Sequence, residues 1–250
     1  MAYKLNKLII ERIGNTSSAI MKTNQIISQI YPNRPYKFLW SKMFEIEELC
    51  EGNIRSMPKN IIKPDSIQIN YENVESNLDN CKNSNIFDKT STFICDEQKI
   101  KIPIVNATNE NMAYYNCLLV NFNDIFIFSS HRTRPYTLFE MFIGRDYVKN
   151  YIMQQNFGGG VYLEYHDNPH FHAPSNKSTG GFLTVGKKNS NRLEITGFRI
   201  PYGKGVYMPG GVYHNDCFLT GFWNVIYDDS NNYLTGILKT KSKEMVEFIY

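Results

Sequence analysis

The sequence predicts a mainly β protein: an antiparallel barrel or sandwich with a helical extension at its amino-terminal end. Three observations carry this. After Gly158-Gly159-Gly160, short strand signals follow one another in quick succession. Turn residues separate them, at Asn168-Pro169, Lys188–Asn191, Pro201–Gly203, Pro209–Gly211 and Asp228–Asn232. Before residue 50, by contrast, the apolar positions recur with helical rather than alternating spacing.

Taken in order, Ser17 or Ser18 is placed to cap a helix with Ile20, Ile26, Ile27 and Ile30 on one face, ended by Pro32 and Pro35. A second helix is expected over Phe38–Cys50, carrying Leu39, Met43, Ile46 and Leu49, with Gly52 at its carboxyl-terminal cap. Residues 53–90 are polar. They offer a short strand at Ser66–Asn70 and a long loop over Asn73–Lys89. Thr92–Cys95 and Lys99–Ile104 read as a hairpin, and Cys117–Phe122 and Asp124–Ser129 as further strands. Tyr136–Asn156 fits a helix broken at Gly144. The remaining strands are expected at Val161–His166, Phe182–Gly186, Leu193–Ile200, Gly205–Met208, Phe222–Tyr227 and Tyr233–Lys239. This divides the chain into residues 1–105, helices followed by a polar loop and first strands, and residues 106–250, the barrel domain.

Composition narrows the function classes. A 250-residue chain can bury a real core. A formal charge of +3 gives no electrostatic case for nucleic acid or an anionic membrane. No apolar run reaches membrane-spanning length. The five cysteines, Cys50, Cys81, Cys95, Cys117 and Cys217, are scattered without a Cys-x-x-Cys pair, which argues for reduced thiols. The start, Met-Ala-Tyr-Lys-Leu-Asn-Lys, has no apolar export segment. A cytoplasmic protein is expected, in a host cytoplasm if the chain is viral; abundant Asn, Ile, Lys and Tyr suit an AT-rich genome.

Four of the five histidines lie between residues 166 and 214. His170 and His172 flank Phe171, so an extended backbone points both imidazoles to one face. Pro169 and Pro174 bracket the pair and stiffen it. His214 follows the Pro209-Gly210-Gly211 turn, which lets the chain double back toward the barrel mouth. Three neutral imidazoles there can hold a divalent transition metal, with positions left open for water or substrate. Iron, zinc, nickel, manganese and copper are not distinguished by these residues.

The segment Gly203 to His214 resembles the second motif of the cupin superfamily: Gly, five residues, Pro, one residue, Gly, two residues, His. Phe218 stands where that motif closes on Asn. His170-Phe171-His172 resembles the His-x-His core of the first motif, and Gly181–Gly186 the strand that follows. The resemblance covers residues 158–240 and implies a cupin-like antiparallel β-barrel, or jelly roll, with His170, His172 and His214 as metal ligands and catalytic centre. It also implies homodimers paired through their sheets.

The glutamate that cupins usually supply after His-x-His is missing, since Asn176, Lys177, Thr179 and Gly180 occupy its place. Glu164 and His166 are the nearest replacements, because alternation along Val161–His166 puts both on one face. Asp216 is a weaker one. Tyr162, Tyr207 and Arg199 are candidates for binding substrate. The basic cluster His131-Arg132-Thr133-Arg134-Pro135 reads as a solvated loop.

Three functions compete at this point. The first is a metal-dependent cupin, an oxygen-using oxidoreductase of dioxygenase type on a small molecule. The second is a metal-free sugar-nucleotide isomerase or epimerase using histidine as acid and base. The third is a cupin without catalysis that binds a ligand or serves a structural role.

Overall fold

The computed structural model describes residues 9–40, 44–48, 53–74, 90–190, 192–228, 230 and 232–250. The chain is mainly β, with 52% of the described residues in strands and 6% in helices. One large sheet has the strand order β1 (Glu11–Ile13), β2 (Ile20–Ile30), β11 (Tyr136–Ile143), β19 (Leu219–Tyr227), β13 (His170–Pro174), β17 (Lys204–Met208) and β9 (Leu118–Asn121). The two-residue β14 (Gly180–Gly181) adds to β19.

The second sheet runs β15 (Leu183–Asn189), β18 (Tyr213–Asn215), β12 (Tyr162–His166), β20 (Tyr233–Thr240), β6 (Thr90–Cys95), β5 (Ile67–Val74) and β16 (Arg192–Arg199). Pairing of β16 back onto β15 closes these seven strands into a barrel. The barrel is mixed, because β20 and β6 run parallel. β8 (Ile104–Asn106) joins β16, also parallel. A three-stranded sheet of β10 (Ile125–Ile127), β3 (Pro35–Trp40) and β4 (Phe44–Glu48) covers part of the first sheet, and β21 (Glu247–Ile249) pairs with β7 (Lys99–Lys101). Leaving aside the short β14 and the β15–β16 hairpin, the chain from β11 to β20 passes back and forth between the two large sheets. This architecture is compatible with a cupin-like fold.

The amino-terminal helices are not formed. Residues 20–30 make the eleven-residue strand β2, paired along its length with β11. Two register shifts, between Leu138 and Phe139 and between Glu140 and Met141, leave Ile27 and Asn24 as extra residues on β2. Each bulge offsets the two-residue alternation by one, so Ile20, Ile26, Ile27 and Ile30 acquire spacings that imitate a helical stripe. Their β-branched side chains suit a strand better than a helix. The expected second helix is the hairpin β3–β4, and Gly52 lies outside the described residues.

Tyr136–Ile143 is likewise a strand. Gly144 ends it, and one π-helical turn follows at Val148–Ile152. The predicted hairpin of residues 92–104 does not pair with itself: β6 lies between β20 and β5, and β7 pairs with β21. Most of the expected loop over Asn73–Lys89 falls outside the described residues, and Asn73 and Val74 end β5. The one α-helix among the described residues, α1 (Asn109–Tyr114), begins at a capping box. Thr108 Oγ1 accepts from the Asn111 amide, and the Asn111 side chain accepts from the Thr108 amide.

Two apolar layers hold the site in place. Between the large sheets, Phe139 and Met141 meet Leu163, Val185, Ile195 and Ile237, all essentially buried. On the opposite face of the first sheet, Phe171 is fully buried, stacked on Phe126 at 5.2 Å and edge-on to Phe38 at 5.5 Å. Burying a phenyl ring of this kind contributes roughly 2–3 kcal/mol. Anchoring Phe171 outward turns its neighbours His170 and His172 inward, toward the space between the sheets.

Candidate metal centre

Glu164, His166, His170 and His214 each bring one ligand atom to a common point, all within 4.8 Å of one another. The first two come from β12, His170 from the start of β13, and His214 from β18. His214 Nε2 is the hub. It lies 3.3 Å from His166 Nε2, 3.2 Å from His170 Nδ1 and 3.2 Å from Glu164 Oε1. His166 and His214 are buried, whereas Glu164 and His170 are partly exposed, so the cluster is reachable from one side.

The hub's other nitrogen fixes its chemistry. His214 Nδ1 is 3.0 Å from the Val212 carbonyl, an acceptor, and therefore carries the proton that donates to it. In neutral His214 the Nε2 atom is then a bare lone pair. The three atoms around it, two imidazole nitrogens and a carboxylate oxygen, are all of metal-ligating type. They are what a shared cation requires: bonds of about 2.0–2.1 Å at tetrahedral angles set neighbouring ligand atoms about 3.3–3.4 Å apart. The residues present fit a divalent transition metal.

Electrostatics favour unprotonated ligands in two of the three rings. Burial, His214, His172 and Arg132 push His166 down to about 3. Burial and the three neighbouring histidines likewise hold His170 well below the ordinary range. His214 moves the other way: burial opposes its imidazolium form, but the Glu164 carboxylate outweighs that and raises it. In the absence of an ion, His214 is thus the ring on which a proton takes the cation's place.

The local backbone explains the convergence. The Gly211 amide donates to the His166 carbonyl at 2.8 Å, tying the end of β12 to the turn before β18. Gly211 has φ +90°, and a Cβ on Gly210 would stand 2.1 Å from the Asp167 carbonyl oxygen. Only glycine lets the Pro209-Gly210-Gly211 turn approach so closely. Glu164 then lies directly opposite His214 in the β12–β18 pair.

Of the residues singled out from sequence, His170 and His214 come together with Glu164 and His166. His172 does not join them. Its ring is 5.8 Å from that of His170, and its Nε2 faces Asp216 Oδ2 at 3.8 Å. Tyr162 is buried in the same region and donates to Asp216 Oδ1 at 2.9 Å. Burial opposes ionisation of Asp216, but His172, Arg12 and the Tyr162 hydroxyl outweigh it and bring its carboxyl down to about 2.

Tyr207 packs with Phe126 and Phe128 on the far face of the first sheet and donates to the Ser129 carbonyl. Arg199 is exposed at the end of β16. Arg132 and Arg134 both pair with Asp228, at 3.3 and 2.7 Å. A shallow open cleft lined by Ser130, His131, Tyr165 and Gly211 adjoins the β12–β13 turn, but none of the four clustered side chains faces it.

Two inward residues escaped the sequence reading. Arg12 of β1 is 5% exposed and reaches Tyr147 Oη at 3.4 Å and Met21 Sδ at 3.5 Å. Tyr227 of β19 is buried, with its ring 5.8 Å from that of His170. A lone arginine on a short edge strand gives no sequence signal, and Tyr227 belonged to a strand whose pattern showed only packing.

No protein-family model matches the chain, and comparison with curated proteins and with solved structures gives no match. No helix among the described residues is long and apolar enough to cross a membrane.

Proposed function

We propose that this chain is a cupin-like metal-dependent enzyme, an oxygen-using oxidoreductase acting on a small molecule, with Glu164, His166, His170 and His214 as the metal ligands. The observation that carries this reading is the hub: three donor atoms within 3.3 Å of His214 Nε2, whose Nδ1 is committed to the Val212 carbonyl. Bound there, a divalent ion would supply Lewis acidity and exchangeable coordination positions for an oxygen-dependent oxidation. The protein's own part is to hold three neutral imidazoles and one carboxylate in place, to keep the inner side of the cluster dry, and to admit substrate past Glu164 and His170.

Elemental analysis of purified protein tests the proposal. Stoichiometric transition metal, lost in His170→Ala and His214→Ala, is the expected result. Protein prepared with iron, zinc, nickel, manganese and copper supplied in turn that retains none of them would sink it. Oxygen consumption with a panel of small organic substrates then tests the oxidase activity itself.

A second reading has its own observation. The Glu164–His214 contact, with His214 raised by the carboxylate, is also an imidazolium–carboxylate pair suited to proton transfer in a metal-free isomerase or epimerase. That reading expects solvent deuterium to enter a sugar nucleotide and expects no metal. In either case the chain is proposed to act as a homodimer, which light scattering at micromolar concentration checks.

A further inference from the structure

A second concave site lies outside the histidine cluster. It is an open cleft of about 510 Å³ where separate segments of the chain meet. Asn33 comes from the β2–β3 turn and Ser130 and His131 from the loop after β10. Tyr165 and Asp167 come from the end of β12 and just beyond it, and Gly211 from the turn before β18. None of Glu164, His166, His170 and His214 lines it.

The walls of the cleft are braced from behind. Asn33 holds a left-handed backbone at φ +62°, which asparagine tolerates better than most residues. Its amide donates to the Phe128 carbonyl at 3.1 Å. Its side chain donates to the Ser130 carbonyl at 2.6 Å and accepts from the Ser130 amide at 3.0 Å. Ser130 Oγ donates to Tyr136 Oη at 2.7 Å, and that hydroxyl donates on to the buried Asn168 at 3.1 Å. Tyr165 leans on Tyr213, with ring centroids 5.0 Å apart, and Asp167 Oδ1 accepts from Ser230. Walls fixed before anything binds cost little to order on binding.

The groups that face the opening define its occupant. Tyr165 supplies the aromatic surface of the lining. Gly211 leaves the hydroxyl end of that ring bare, since a Cβ there would stand 3.7 Å from Tyr165 Oη. Tyr165 Oη, the His131 ring and Asp167 Oδ2 have no hydrogen-bond partner among the described residues. Among the described residues no aliphatic side chain and no Lys or Arg lines the cleft, and the nearby Arg132 and Arg134 are engaged with Asp228. Such a lining suits neither a lipid chain nor a phosphate ester. It suits a ring with one apolar C–H face for Tyr165 and a rim of hydroxyls that donate to Asp167 and accept from His131.

We propose that this cleft binds a neutral sugar, with the pyranose face laid on Tyr165 and ring hydroxyls held by Asp167 and His131. The site is separate from the metal reading, because none of the four clustered side chains takes part in it.

Saturation-transfer difference NMR tests the proposal. The probes are the methyl glycosides of glucose, galactose, mannose and N-acetylglucosamine, with adenosine as an aromatic comparator. Each is supplied at about 10 mM, since a single-ring ligand of an open site binds in the millimolar range. Saturation of the ring C–H protons of at least one glycoside is expected. Tyr165→Leu and Asp167→Asn should each weaken that glycoside about tenfold, through the lost ring face and the lost charged acceptor. Leucine keeps bulk against Tyr213, and asparagine keeps an acceptor for Ser230, so Asp167→Asn carries the test should Tyr165→Leu fail to fold. No saturation of any glycoside, or saturation of adenosine alone, overturns the ligand class. A glycoside whose affinity ignores Asp167→Asn overturns the placement.

Discussion

Glu164 and His214 stand directly opposite each other across the antiparallel pair β12–β18, and their side chains meet with Oε1 3.2 Å from Nε2. The carboxylate of the cluster therefore comes from the strand before the His170–His172 segment. The cupin resemblance had located its absence on the strand after it.

The first prediction follows from this placement. Glu164→Gln keeps the shape of the side chain and removes its charge, and metal affinity should fall about 10- to 100-fold or more. His172→Ala should retain stoichiometric metal, since His172 lies outside the four-residue cluster. Competition with a chelator of known affinity measures both. Metal loss in His172→Ala equal to that in Glu164→Gln would reverse the assignment.

Gly210→Ala is predicted to damage stability and metal binding together. The new methyl would stand 2.1 Å from the Asp167 carbonyl oxygen, so the backbone between His166 and His170 must move. The expected cost is about 1–3 kcal/mol, and each kcal/mol lowers the melting temperature of a chain this size by roughly 2–4 °C. Thermal melts with and without added metal check both effects.

Phe171→Ala should cost about 3–5 kcal/mol by opening a cavity against Phe38 and Phe126. Because the ring fixes which way His170 and His172 point, the variant should also lose metal more readily at temperatures where it is still folded. Urea denaturation and dialysis against chelator read the two effects separately.

Glu194 predicts a pH dependence far from the cluster. Its buried carboxylate accepts from Lys63, from Ser66 Oγ at 2.6 Å and from Tyr114 Oη at 2.9 Å. Burial opposes ionisation, but these bonds outweigh it and hold the carboxyl below the ordinary range. A carboxyl depressed by folding contributes stability that is full above the unfolded value of about 4.3 and is lost as pH falls through the folded one. Wild type should thus exceed Glu194→Gln in stability at neutral pH and converge with it as pH falls through the lowered folded value. An unchanged difference across that range in urea titrations would contradict the account.

The barrel was legible because short strand-forming runs from Val161 onward are separated by turn residues. The β2 segment was not, because its two bulges put Ile26, Ile27 and Ile30 on a spacing that a regular strand does not produce. His170 and His214 could be picked out from a His-x-His pair and a Pro-Gly-Gly turn. What no spacing rule supplies is which way His172 turns once Asp216 lies 3.8 Å from it, or that a hub nitrogen draws in Glu164 and His166 instead. Arg12 was unreadable for a related reason. Its partners Tyr147 and Asp216 lie far along the chain, and only the sheet pairing brings them together.

The parallel pairing of β20 with β6 has a consequence for biosynthesis. Residues 90–95 are among the first strands to leave the ribosome, yet their partner at residues 235–240 is among the last. Until it emerges, β6 presents an open backbone edge, and the ring that contains β12 and β18 has a gap beside β12. The four clustered residues Glu164, His166, His170 and His214 are all translated before that gap closes. A nascent chain therefore carries all four clustered side chains on an unsealed barrel, so under the proposed metal reading an ion would have a side entrance during synthesis that the finished protein closes.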